Sequence, residues 1–258
     1  MSEELILETR GLSKDFKGFT AVDGVNLQGR RGHIHALIGP NGAGKTTCFN
    51  LLTKFLEPTR GSIHFDGHDI TREKPARIAR RGVIRSFQIS AVFPHLTVLE
   101  NVRIGLQRFT GTSFHFWRGL SGLQTLDARV MELLELVDLH AMAHLKAGDL
   151  PYGRKRALEI ATTMAMEPKL MLLDEPTQGM GSEDVERVTA LIKRVAEGRT
   201  VLMVEHNMKV VSRIADRITV LARGAVLAEG DYATVSRHPG VLEAYMGSES
   251  VELEGAHS

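Results

Sequence analysis

The chain has 258 residues, with 32 Lys and Arg against 31 Asp and Glu, a net charge of +1, 43% hydrophobic and 24% charged residues. That balance excludes wholesale disorder, and near-neutrality argues against a general nucleic-acid binder, which carries a basic excess. The lone Cys48 excludes an internal disulfide framework or a Cys-cluster metal site and fits a reducing compartment. No apolar run approaches the roughly 18–20 residues of a membrane span. Met1-Ser2-Glu3-Glu4 lacks the basic-then-apolar order of a signal peptide. The expectation is a cytoplasmic chain of one large domain or two small ones.

In chain order, Leu5–Thr9 alternates like a strand. His33–Ile38 is a short apolar run ending in Gly39-Pro40, hence a strand and then a turn. Gly44–Phe55 reads as a helix, and Ser62–Phe65 before Asp66-Gly67 as a strand with a tight turn. From about Thr97 to Leu145 helical periodicity dominates: Leu126, Val130, Leu133, Leu134 and Val137 recur at three- and four-residue spacing. Gly111–Gly122, rich in Gly, Ser and aromatics, reads as a loop. Strand logic returns at Leu170–Leu173, followed by a helix carrying Val185, Val188, Leu191, Ile192 and Val195, and a strand at Thr200–Val204. Two last strands, Ile218–Leu221 and Ala225–Ala228, are split by Arg223-Gly224. Alternating strands and helices imply an α/β core with a mainly parallel sheet covered on both faces. An inserted helical segment interrupts that core, and the N-terminal strands suggest a small antiparallel β layer.

Gly39-Pro40-Asn41-Gly42-Ala43-Gly44-Lys45-Thr46 fits the pattern G-x-x-x-x-G-K-[ST], between a predicted strand and a predicted helix as that motif requires. Its glycines let successive N–H groups turn inward onto phosphate oxygens, and the helix N-terminus adds partial positive charge. Lys45 is expected to reach the β- and γ-phosphates, Thr46 to ligate Mg²⁺, and Thr47 offers a second hydroxyl nearby. Leu170–Glu175 is an apolar run ending in two acids. The expectation places that strand beside the P-loop strand, with Asp174 supporting Mg²⁺ and Glu175 polarising the attacking water.

With these motifs in order, the sequence resembles the ATP-binding subunits of ABC transporters over nearly its whole length. The resemblance implies a P-loop NTPase fold with ATP and Mg²⁺ as ligands. It implies that Gln88, in Arg85-Ser86-Phe87-Gln88, contacts Mg²⁺ or water and links the site to a membrane subunit. His206, in Val204-Glu205-His206-Asn207, matches the histidine that contacts the γ-phosphate, and the other ten histidines read as structural or solvated. Phe16 matches the aromatic that stacks on adenine, a core phenylalanine being the alternative. Leu150-Pro151-Tyr152-Gly153-Arg154-Lys155-Arg156 corresponds to the family signature, usually LSGGQ, which binds the γ-phosphate of ATP held by a second subunit. Tyr152, Gly153 and Arg154 are its expected nucleotide-facing residues, a helix beginning near Gly153 directs N–H groups at the phosphate, and Arg154, Lys155 and Arg156 add positive charge. Two residues depart from the family pattern: Pro151 replaces the signature serine, and Gly181, in Gln178-Gly179-Met180-Gly181, stands where an aspartate is usual.

Leu-Pro-Tyr-Gly at the signature, Phe93–Val102, Gly230-Asp231-Tyr232 and Val241–Gly247 resemble the importer subunits for branched-chain and other hydrophobic amino acids, with urea or another amide as the alternative cargo. The less favoured reading is a soluble ABC ATPase acting elsewhere. The implied organisation is one ATP-binding domain over 1–247, a helical insert at about 89–168 and a tail at 248–258. The implied partners are membrane-spanning permease subunits, a second ATP-binding subunit (identical or paralogous) packed head to tail, and indirectly a substrate-binding protein, with no nucleic acid, on the cytoplasmic face of a bacterial inner membrane. Docking is expected around Gln88–Asn101, where Val92, Phe93 and Leu96 either face a partner or fill the insert's own core. Phe114, Phe116 and Trp117 read first as a local packing cluster, and Arg77, Arg80 and Arg81 as a solvated face.

Overall fold

The computed structural model describes residues 4–86, 92–107 and 126–245. Strand β4 (Ile34–Ile38) leads into the P-loop and helix α1 (Lys45–Leu52). It lies inside a six-stranded sheet with β7 (Val83–Ser86), β8 (Leu170–Asp174), β9 (Thr200–Val204), β10 (Arg217–Ala222) and β11 (Ala225–Gly230), in the order β11-β10-β4-β9-β8-β7. All neighbours are parallel except β10 and β11, which form an antiparallel pair around Arg223-Gly224. A second, antiparallel sheet holds β1 (Leu5–Phe16), β2 (Phe19–Val25), β3 (Gln28–Arg30), β5 (Arg60–Phe65) and β6 (His68–Asp69).

The period of two along the central strands sorts side chains onto two cores. Ile34, Ala36, Ile38, Met171, Leu173, Val201 and Met203 face one core. That core continues without a break into α3 (Val98–Gln107), α4 (Asp127–Leu136), α5 (Tyr152–Ala165), α6 (Ser182–Val195) and α7 (Met208–Ile214). Leu37, Leu170, Leu172, Leu202 and Val204 face the other core, shared with α1, α2 (Pro75–Arg81) and the antiparallel sheet. The expected two-sided cover is therefore built from helices on one face and a mixed layer on the other.

Several expectations are corrected. The strand β8 does not lie beside β4: β9 lies between them, pairing Leu37 with Val204 on one side and Asp174 with Val204 on the other. The reason is the connection, because β8, α6 and β9 form a crossover unit whose strands are immediate neighbours. The helix expected to reach Phe55 stops at Leu52, where the Thr53 hydroxyl donates back to the Phe49 carbonyl and Lys54 takes a left-handed φ of 62°. Strand β1 runs on past Thr9 to Phe16, with register breaks that let one strand pair with three others. Val92 is buried, Phe93 is exposed and Leu96 is half-buried, so these three do not share one role. Arg81 forks onto both carboxylate oxygens of Glu73 at 2.7 and 2.9 Å rather than standing free in solvent. The Gly111–Gly122 loop, Phe114, Phe116 and Trp117 lie outside the described residues.

Sequence chemistry explains several ends. Thr97 and Glu100 form a reciprocal capping box for α3: the Thr97 amide donates to Oε2 of Glu100 at 2.8 Å, and the Glu100 amide to Oγ1 of Thr97 at 3.2 Å. Pro75 opens α2, where its missing N–H has no helical acceptor. Asp231 caps the short helix α8 (Tyr232–Ser236) by accepting from the Thr234 amide at 2.8 Å.

Candidate nucleotide site

The loop between β4 and α1 turns on glycines that no other residue replaces. Gly39 has φ of 148°, and a Cβ there would sit 2.1 Å from the Leu221 carbonyl oxygen. Gly44, at the N-cap of α1, has φ of 97°, and its Cβ would sit 2.4 Å from the Ala21 carbonyl oxygen. These contacts tie the loop to β10 and β2. The ties continue through the Gly224 amide to the Ala43 carbonyl at 3.1 Å and the Asp23 amide to the Gly224 carbonyl at 2.8 Å. The β1–β2 hairpin is thereby fixed beside the loop, with Phe16 at its tip. The Phe16 ring is 41% exposed, which rules out the core reading, and Lys14 Nζ lies 5.2 Å from its centroid. Asn41 and Gly42 are exposed at the loop's crest, with Ala43 buried beneath them.

Lys45 curls back over the loop: its Nζ donates to the carbonyls of Gly39 at 2.6 Å and Pro40 at 3.0 Å. Burial pushes this ammonium below its ordinary range, and the Glu175 carboxylate nearby pulls in the opposite direction. Thr46 is exposed one residue further and Thr47 is half-buried. Cys48, on the buried side of α1, has its thiol pushed up to about 12 and is chemically inert.

Asp174 ends β8 with its side chain almost fully buried. Its Oδ2 accepts from Arg85 Nη2 at 2.5 Å, and Arg85 Nη1 donates to Asn50 of α1 at 2.7 Å. Arg85 thus braces the acid from the strand that leads toward Gln88, which itself lies outside the described residues. Glu175 follows with φ of 44°, and its amide donates to the Val204 carbonyl at 2.9 Å. Its Oε1 stands 4.0 Å from Nδ1 of His206, whose ring is 55% exposed. The structure therefore gathers Lys45, Glu175 and His206 at the C-terminal ends of β4, β8 and β9, the rim where open α/β sheets bind ligands. Thr46 and Asp174 offer a hydroxyl and a carboxylate, the hard oxygen donors Mg²⁺ takes alongside phosphate oxygens. Among the described residues no cluster of three His, Cys, Asp or Glu side chains could cage a metal unaided.

The corresponding signature segment opens α5 at Tyr152, with Pro151 as its N-cap. The Tyr152 hydroxyl donates to the Gln178 carbonyl at 3.3 Å. Gly153 packs so closely on α6 that a Cβ would lie 2.5 Å from Oδ1 of Asp184. The three basic residues expected to add charge there diverge. Arg154 donates to the Asp138 carbonyl at 2.8 Å, and Lys155 is half-buried. Arg156 is turned inward: it pairs with Glu159 at 2.6 Å and adds no positive charge to the helix entrance, because its guanidinium satisfies buried carbonyls after β8. Gly181 is the N-cap of α6, with no atom within 4 Å of where a Cβ would stand.

Arg85, Arg156 and Glu205 escape the sequence reading as site residues. Glu205 had a signal, a carboxylate ending an apolar strand next to His206. Arg156 had a misleading one, a basic run that reads as surface.

The description "ABC transporter" covers a family model matching residues 22–178, more than half the chain. The chain belongs to the ABC transporter ATP-binding family. A second model, the branched-chain amino acid ATP-binding cassette transporter, matches residues 225–251 of this cassette. The cassette is 40% identical to the high-affinity branched-chain amino acid transport ATP-binding protein BraF of Pseudomonas aeruginosa, covering 94% of this chain and 98% of that one. It is 35% identical to a probable branched-chain amino acid transport ATP-binding protein, LivG, of Archaeoglobus fulgidus, covering 96% and 98%. In fold it superposes with TM-score 0.83 on the ADP conformation of MJ1267, an ATP-binding cassette of an ABC transporter, at 30% identity over 95% of this chain and 99% of that chain. A dimeric post-hydrolysis state of the cassette MJ0796 with ADP and Pi aligns at TM-score 0.73 and 27% identity, over 88% and 98%. The chain is thus an ABC ATPase, with the mixed parallel sheet and antiparallel layer expected of that fold.

Proposed function

We propose that this ATPase powers an importer of branched-chain or related hydrophobic amino acids. The observation that carries the reading is the C-terminal match at 225–251, a model specific to branched-chain amino-acid cassettes, joined to a rim that gathers Lys45, Glu175 and His206. Two cassettes, identical or paralogous, close head to tail over two ATP molecules. Each ATP lies between Gly39–Thr47 of one chain and the segment Tyr152, Gly153 and Arg154 of the other. Phe16 receives the adenine. Lys45 and the loop amides offset phosphate charge, Glu175 orients and polarises the attacking water, and His206 contacts the γ-phosphate, so catalysis is mostly positioning and electrostatics. Mg²⁺ would be held by Thr46 and Asp174, with Gln88 as a further ligand by family resemblance, and would supply further charge neutralisation when bound. Loss of the γ-phosphate removes the contact that holds the halves together.

Residues 1–247 form this cassette in our reading, with the insert at about 89–168 and a tail at 248–258. Among the described residues no helix is long and apolar enough to cross a membrane. In this reading membrane-spanning permease subunits, served by a substrate-binding protein, form the transport path, and the cassette docks on them at the cytoplasmic face of the bacterial inner membrane. Exposed Phe93, and an apolar groove of about 270 Å³ edged by Phe55, Ile84 and Met166, support docking on a protein partner.

The test is ATP-dependent uptake by vesicles carrying the permease subunits and this chain. Labelled leucine should accumulate, compete with isoleucine and valine, and be lost in Lys45→Ala. Uptake of urea with no competition by leucine would transfer the cargo to the amide alternative. ATP hydrolysis indifferent to any permease would favour the soluble reading.

A further inference from the structure

The turn that carries Glu175 is gripped from two sides by buried charged side chains. Arg156 of α5, only 8% exposed, places its guanidinium beneath the end of β8. Nη2 donates to the carbonyls of Asp174 at 3.1 Å and Glu175 at 2.9 Å, and Nε donates to that of Pro176 at 3.1 Å. Nη1 pairs with Glu159, also buried, at 2.6 Å. From the other side comes Glu205, with no exposure at all. Its Oε1 accepts from the Thr177 amide at 3.2 Å and from the Thr177 hydroxyl. Its Oε2 accepts from the amides of His206 at 2.8 Å and Asn207 at 3.0 Å.

Three consecutive carbonyls thus end on one guanidinium, and the next amide ends on one carboxylate. That carboxylate also fixes the backbone of His206. The segment between the grips includes Glu175 at φ 44°, a conformation side-chain-bearing residues rarely adopt. Such a conformation persists where the surroundings over-determine it. A planar fork with five donors suits three divergent carbonyls as no other side chain does. Buried ion pairs add little net stability compared with apolar residues of the same volume, so what this arrangement provides is a defined turn.

We propose that Arg156 and Glu205 are positioning residues for ATP hydrolysis. Together they hold the Asp174–Thr177 turn so that the Glu175 carboxylate keeps its place opposite His206. Both side chains are buried beneath the turn rather than exposed on the rim. The proposal rests on Glu175 being the group that activates water.

The full-length chain is tested as Glu205→Gln, as Arg156→Lys and as the double variant Arg156→Met with Glu159→Met, which leaves no unpaired charge. Steady-state hydrolysis, the Kd of a fluorescent ATP analogue and urea unfolding are measured on each. The expected result is kcat lowered about 10- to 100-fold, with KM and analogue Kd within about twofold of wild type in variants that still unfold cooperatively. Arg156→Lys should fail to restore kcat, because charge without the fork does not span three carbonyls. Wild-type kcat in the double variant and in Glu205→Gln, with Glu175→Gln inactive, overturns the proposal alone. Parallel loss of binding and turnover also overturns it, since both residues would then be merely structural. Should the double variant not fold, Glu205→Gln decides by the same readings. Wild-type turnover in Glu175→Gln would instead remove the water-activating reading beneath it.

Discussion

Titratable side chains in this cassette fall into three groups: those that meet solvent, those that bond other groups of the fold, and those that burial keeps neutral. Lys45 bonds the carbonyls of the loop it belongs to, and Arg85 braces Asp174. His35 shows the third case, a buried imidazole whose Nε2 shares a hydrogen bond of 2.8 Å with the Thr219 hydroxyl. Burial pushes it from an ordinary value of 6.5 down to about 4, with Arg217 and His33 acting in the same direction and Glu229 against it. The folded protein therefore keeps His35 neutral where the unfolded chain protonates it. Stability is full above pH 6.5 and falls as pH drops toward 4. Urea unfolding should show wild type losing roughly 2 kcal/mol more than His35→Gln between pH 7 and pH 5; equal losses would show that His35 is not the titrating group. Residue-level reading finds the turn that follows β4 at Gly39-Pro40, because that chemistry is local. It failed at Arg156, because Arg154-Lys155-Arg156 gives no sign in one dimension that the third residue faces inward.

At the scale of elements, α3 of the insert crosses closely over α5. Gly105 brings α3 onto α5, and a Cβ there would lie 2.8 Å from the Ala165 Cβ and 3.0 Å from the Thr162 carbonyl oxygen. Gly105→Leu should push the helices apart and cost about 1–3 kcal/mol in urea unfolding. An unchanged midpoint would mean that the crossing is soft. The same scale explains what was legible. β9 (Thr200–Val204) matched its predicted bounds because all five residues are buried and its ends are abrupt. Short β7 and α2 were not predicted as separate elements, being four and seven residues long and interrupted by arginines. Strand order was misjudged because it depends on how β8, α6 and β9 connect, which no single run of residues reveals.

In the whole molecule, the functional rim is where the two cores meet. Helices α5 and α6 belong to one core and α1 to the other, while β4, β8 and β9 carry Lys45, Glu175 and His206 to the same end. On the reading proposed above, this rim hydrolyses ATP between two cassettes, with Glu175 activating water. The decisive variant is Glu175→Gln in the full-length chain, with hydrolysis and mass followed together in ATP and Mg²⁺. It should retain ATP binding, turn over at least about 100-fold more slowly and form a stable closed dimer. Hydrolysis at the wild-type rate would remove Glu175 as the water-activating group, and failure to dimerise on binding ATP would remove the closed dimer.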